Sequence, residues 1–196
     1  MSKLEQILDQ LDRSRERLLV AVEPLSDEAL LEPGAVGRFS VADLLVHLTA
    51  WETELVTGLM RLDQGGKPGS LLAALSRPDA HSQQWYEAHQ GRDLDRIFDD
   101  LRAVRVQLEG WLEEFSDRDL TDPQRYRWFR GKSLAQVVEE TTFGKETAYL
   151  PALEAFAQRW VQAYNSAGDD LVVPLSAVLI EDESDDDDKP DSNGRA

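Results

Sequence analysis

The chain has 196 residues, 41% of them hydrophobic, no cysteine and a net charge of −17. That length suits one domain with a core of its own, and the absence of cysteine excludes disulfides, thiolate metal ligands and a cysteine nucleophile. Charge of this sign repels phosphate backbones and argues against nucleic acid as a partner.

The amino-terminal stretch MSKLEQILDQLDRSRERLL has no continuous apolar run, so it reads as helix rather than signal peptide. No segment approaches the ~20 apolar residues of a membrane span. The expectation is a cytoplasmic protein with no membrane contact. Leu4, Ile7, Leu8, Leu11, Leu18 and Val22 recur at spacings of three and four, the signature of one helix face. A later set, Leu94, Ile97, Phe98, Leu101, Leu108 and Leu112, coincides with it at a shift of 90 residues, and Arg15 lands on Arg105. The exits LSDEALLEP (25–33) and FSDRDLTDP (115–123) match as well.

Each half then opens a second helix on a serine cap, Ser40 through Asp43 in one and Ser133 through Gln136 in the other, now at a shift of 93. Such repetition predicts two similar helical hairpins. The fold class is therefore all-α, an antiparallel four-helix bundle with helices at about 2–40, 40–63, 93–115 and 133–164. The stretch Gly65–Pro78 reads as a long crossover, and HSQQWYEAH (81–89) as a short extra helix. Residues 1–168 form the bundle, 169–180 (with LVVPLSAVLI) an apolar docking segment, and 181–196 (with EDESDDDD) an acidic disordered tail.

On helix 2 the wheel puts Val41, Leu44, Leu45, Leu48, Leu55 and Leu59 in one stripe, with Glu52 in its middle. His47 lies at the edge beside Asp43, Trp51 and Glu54. On helix 4 the stripe is Leu134, Val137, Val138, Ala148, Ala152 and Phe156, with Thr141, Lys145 and Tyr149 inside it. Pro151 predicts a kink near Thr147. An inward lysine and an inward glutamate need a partner, because an unpaired buried charge costs several kcal/mol. Three resolutions stay open: Lys145 and Glu52 pair or share a wet cavity, Lys145 snorkels outward, or its amine is reactive.

The stretch FSVADLLVHLTAWE (39–52), with GAVGRFS before it and RDLDRIFDDLRAVRVQL (92–108) and YRWFRGKSLAQVVEETTFGKETAYLPAL (126–153) after it, resembles the DinB-like superfamily, and its ClbS/DfsB branch in particular. The resemblance covers roughly residues 1–160 and implies a four-helix bundle with a long connection between its hairpins. In many such proteins three histidines hold a divalent metal, one on helix 2 and two on helix 4 spaced four apart. His47 matches the first. Lys145 and Tyr149 stand at the other two, and a protonated amine cannot coordinate, so no metal or other cofactor is expected. His81 and His89 match no ligand position and read as surface or edge residues.

The functional expectation is a metal-free protein that binds or hydrolyses a reactive small molecule in the cleft between the helices, in a protective role. His47, Glu52 and Lys145 form the acid–base set, and Trp51, Thr141 and Tyr149 the binding wall. One alternative is a non-catalytic bundle serving as an interaction or structural module, with apolar edges compatible with a homodimer. Another is a metal-dependent thiol transferase drawing ligands from Glu52, Glu139, Glu140 or Glu146 beside His47.

Overall fold

The computed structural model describes residues 1–89 and 91–169. The expected docking segment, apart from Asp169, and the acidic tail lie outside the described residues. The chain divides into a compact unit, Met1–Val161, and a second, Gln162–Ala196; the bundle and its sites belong to the first.

Serine caps start the elements where the sequence places them. Ser2, Ser40, Ser116 and Ser133 each accept a backbone N–H while the side chain three residues on returns the bond. Helix α1 spans Lys3–Val22 and stops before Pro24, well short of the expected 40, because proline cannot continue a helix. A short α2, Asp27–Leu31, follows, and Gly34 (φ 78°) and Gly37 (φ 66°) turn the chain into the Ser40 cap. Helix α3 spans Val41–Asp63. The expected crossover is largely helical: α4 covers Gly69–Ser76, and α5 runs Pro78–Ala88 with proline at its first turn. Helix α6 (Leu94–Leu112), α7 (Asp117–Thr121) and a 3₁₀ turn, Arg127–Phe129, lead to α8 (Leu134–Thr141) and α9 (Phe143–Asp169). The Asp117 carboxylate accepts from the Lys3 and Leu4 amides at 3.0 and 3.4 Å and ties the start of α1 to α7.

The fourth helix is broken ahead of the kink that Pro151 predicts near Thr147. Helix α9 passes through Pro151, whereas Thr142 (φ −128°, ψ −108°) separates α8 from α9. The close overlap there needs glycine next door: a Cβ on Gly144 would stand 2.6 Å from the Glu139 carbonyl oxygen. The break adds one residue to the register. It turns Glu146 (1% exposed) into the core, leaves Lys145 and Tyr149 half-buried at the edge, and exposes Ala148 and Ala152, which the unbroken wheel had placed inside.

Two apolar clusters fill the bundle. One holds Leu18 and Val22 of α1, Leu44 and Leu48 of α3, Leu101 of α6 and Leu150 and Leu153 of α9. The other holds Ile7 and Leu11, Leu55 and Leu59, Leu108 and Leu112, and Leu134 and Val138. Along the chain the clusters come in opposite order on α1 and α3, and in the same order on α3 and α6. Each hairpin is thus antiparallel, while α3 and α6 run side by side in one direction, which is why the connection between them must be long.

Between the clusters lies a buried layer of four charges, Arg15, Glu52, Arg105 and Glu146, one from each long helix. Arg15 donates to Glu146 at 2.8 Å and to Glu52 at 2.9 Å, and its remaining nitrogen reaches the Leu101 carbonyl at 3.1 Å. Arg105 donates to Glu52 at 2.5 Å, to Glu146 at 3.0 Å and to the Leu11 carbonyl at 2.7 Å. Ser14 also donates to Glu146. Burial works against the Arg105 charge, and the two surrounding carboxylates outweigh it, raising its pKa. This is the partner set that the inward Glu52 required. Lys145 takes no part in it, so of the three resolutions left open the Lys145–Glu52 pair is not the one formed, and two arginines stand in its place.

Removing one member of such a layer strands the rest, at a cost of about 3–5 kcal/mol. Glu146→Leu is therefore expected to lose about that much in urea unfolding, and Lys145→Met less than about 1 kcal/mol. Equal effects at the two positions would contradict the register described here.

Candidate functional site

The one-residue step at Thr142 aligns Trp51-Glu52-Thr53 of α3 with Lys145-Glu146-Thr147 of α9. With both glutamates pinned in the core, their neighbours Trp51 and Lys145 face each other one helix position away. The Lys145 ammonium stands 3.9 Å from the centre of the Trp51 ring. His47, one turn before Trp51, stacks on Phe39 with ring centres 5.4 Å apart, and meets Tyr149 edge-on at 5.7 Å and Trp51 at 6.4 Å. His47, Trp51, Lys145 and Tyr149 are thus brought together, as the sequence suggested.

Thr141 and Glu52 are not in this group. The Thr141 hydroxyl is fully buried and donates to the Val137 carbonyl at 2.8 Å. Glu52 lies in the charged layer beneath, where one carboxylate oxygen takes every arginine bond and the other has no partner among the described residues.

Helix α5 supplies what the sequence reading missed. Its face at spacing four carries His81, Trp85 and His89, and it packs over α3. His81 rests edge-on against Trp51 at 5.3 Å, so it is a wall of the site rather than a surface residue. Trp85 and His89 stack at 4.5 Å, and the His89 ring nitrogen meets the Trp85 carbonyl at 2.8 Å. The chain's three histidines therefore lie along one seam. The signal was present in the 81/85/89 spacing, but nothing in the sequence said which way that helix faced. A cleft of about 580 Å³ opens on the outer side, bordered by Glu54, Arg77, His81, Trp85 and His89. A void of about 10 Å³ beneath α5, touching His47, Ser82 and Tyr86, has room for one water.

Burial and the Lys145 and Arg38 charges lower the His47 pKa from 6.5 to about 4, so the imidazole is neutral at pH 7. Burial lowers the His81 pKa, against the pull of Glu54. Burial likewise lowers that of Lys145, with Glu140 and Asp79 opposing. Lys145 makes no salt bridge and donates no side-chain hydrogen bond among the described residues.

Three histidines would be the expected holders of a metal here, and the donor set does not fit that role. Lys145 presents an ammonium on an indole face, Tyr149 a ring edge, and among the described residues no group of three His, Asp or Glu side chains could hold an ion. Glu52 and Glu146 are held by arginines, and Glu140 by Lys132 at 2.5 Å, which removes three of the four carboxylates offered as substitute ligands.

A family description, the DinB superfamily, matches residues 10–143. A crystal structure of an uncharacterised protein from Escherichia coli UTI89 shares the fold, with a TM-score of 0.68 at 15% identity over 81% of this chain and 94% of that one. No curated protein matches.

Between pH 6.5 and about 4 the unfolded chain takes up a proton on His47 that the folded chain refuses, so stability falls as pH drops through that window, by about 3 kcal/mol in full. His47→Phe keeps the stack on Phe39 and is expected to flatten this part of the pH dependence of urea unfolding. An unchanged slope would show that the imidazole is not held neutral.

Proposed function

The chain is a member of the DinB superfamily, and we propose that within it the protein is a metal-independent small-molecule protein of the ClbS/DfsB kind, which binds or hydrolyses a reactive electrophile in the inter-helix cleft bordered by α5 and so serves a protective role. The observation that carries this reading is the Lys145 ammonium over Trp51, without a salt bridge among the described residues, beside a neutral His47. A neutral imidazole accepts the proton of an attacking water. A fixed ammonium in a half-dry pocket stabilises the negative charge that develops on the electrophile. Trp51 and Tyr149 offer flat apolar walls with polar tips. Glu52 acts from below, holding α3 in register through Arg15 and Arg105.

The test is turnover of simple electrophiles (styrene oxide, an activated phenyl ester, an aromatic aldehyde) by chelator-treated protein. Hydrolysis of at least one is expected, reduced about 10²–10⁴-fold in His47→Phe and also reduced in Lys145→Met. The acid limb of the pH profile should fall near pH 4, where His47 gains its proton, and the basic limb below the ordinary lysine value of 10.5. No turnover together with no thermal stabilisation by any of the three would sink the reading.

The non-catalytic module draws support from a second place, a groove of about 700 Å³ between α1, α2 and α6 whose edge exposes Leu19 and Val20. Under that reading sedimentation shows a dimer, and Val20→Asp dissociates it.

A further inference from the structure

The cleft where α4 and α5 meet above α3 holds a carboxylate that the fold does not neutralise. Its volume is about 580 Å³, and the short side chains of Ala73, Ala74, Ala80 and Ala88 leave that space. Glu54 lines it with a side chain only 12% exposed. The Ser70 hydroxyl donates to Glu54 Oε2, and no lysine or arginine pairs with this carboxylate among the described residues. Arg77 borders the same cleft, exposed, and makes no ion pair with Glu54.

The other oxygen, Oε1, stands 3.8 Å from His81 Nε2, too far for a hydrogen bond. That nitrogen has no hydrogen-bond partner among the described residues. Burial lowers the His81 pKa, so the ring is neutral at pH 7 and does not balance the carboxylate. A gap of this width suits one donor that serves both atoms. An ammonium nitrogen about 2.9 Å from each spans it, with Nε2 accepting in the tautomer protonated at Nδ1. An alcohol has one O–H and serves only one of the two.

The remaining wall suits an organic body. Trp85 stacks on His89 with ring centres 4.5 Å apart and planes within 13°. A carbonyl only accepts, so His89 Nδ1, 2.8 Å from the Trp85 carbonyl, donates to it and holds the stack. Trp85 also meets His81 at 6.1 Å. Aromatic rings beside a carboxylate favour cations, and the chain's charge of −17 draws them in.

We propose that the cleft between α4 and α5 is a site for protonated amines carried on a flat or apolar body, the ammonium set between Glu54 and His81 and the body against Trp85. This rests on the small-molecule reading above and names its ligand class. His81 links the two places, since it borders the cleft and rests edge-on against Trp51 at 5.3 Å.

The probes are benzylammonium, benzyl alcohol and benzoate, which share one ring and differ in charge, measured by calorimetry on the full chain at pH 7 at low and moderate salt. Benzylammonium is expected to bind at least about tenfold more tightly than the other two and to weaken as salt rises. Glu54→Gln keeps the shape and an acceptor for Ser70, and should bring benzylammonium to the level of benzyl alcohol with the helical circular-dichroism signal unchanged. His81→Phe keeps a ring against Trp51 and should reduce the preference by a smaller factor. Arg77→Gln removes the cation at the rim and should tighten benzylammonium. Equal binding of the three probes, a preference that survives Glu54→Gln, or binding of none would overturn the amine site. The electrophile turnover described above reads on His47 and Lys145, and decides the small-molecule reading separately.

Discussion

Four charges that cancel inside the bundle set the rest of the structure. Apolar helix faces tolerate sliding and rotation, because leucine against leucine is nearly as good one turn along. Two guanidiniums and two carboxylates in a dry layer are not tolerant: a shift of one residue strands a charge at a cost of several kcal/mol. Arg15, Glu52, Arg105 and Glu146 therefore fix the register of all four long helices at once. The arginines tighten this further by bonding the Leu101 and Leu11 carbonyls of each other's helix.

That register determines the site through covalent adjacency. Trp51 follows His47 by one turn and precedes Glu52, and Lys145 precedes Glu146. Once the glutamates point to the axis, the indole and the amine are aimed about 100° away, at the seam covered by α5. The seam accepts an arrangement that the core would not: an ammonium with no counter-ion, an imidazole kept from its proton, and the Trp51 indole nitrogen with no partner among the described residues. Unsatisfied groups of this kind reduce stability, and they concentrate where a ligand would complete them. The charged layer pairs every one of its charges, whereas the seam leaves the Lys145 ammonium without a counter-ion among the described residues.

Much of the fold was legible because it is written locally. Serine caps with a returning side chain at Ser40 and Ser133, leucines at spacings of three and four, and the 90-residue match between α1 and α6 led to two hairpins and a bundle. The break at Thr142 was not legible in the same way. A helix wheel assumes an unbroken helix, so one extra residue rotates everything beyond it by about 100°, and Lys145 was read into the place that Glu146 holds. A trace did exist in the Glu-Thr pair that the halves share at a shift of 94 rather than 93. Arg15 was legible too, since it lies between Leu11 and Leu18 on the apolar face, and Arg105 repeats it. His81 was not, because the direction a short crossover helix faces is decided by packing against α3 and by nothing in its own eleven residues.

The doubled hairpin carries an implication about symmetry. Each half contributes one arginine, one glutamate and one backbone carbonyl to the central layer, so two copies of a single hairpin related by a two-fold axis would build the same layer with no other help. Charge neutrality within each half is what lets the pair be exchanged without penalty. Directly beside it the symmetry stops: the residue that is an indole in one half is an amine in the other. A symmetric ancestor would have set two indoles or two amines face to face, the first inert and the second mutually repelling. The protein is thus two-fold where its charges must balance and one-sided in the seam beside them, and the divergence of a single equivalent pair, Trp51 and Lys145, marks where the two halves part.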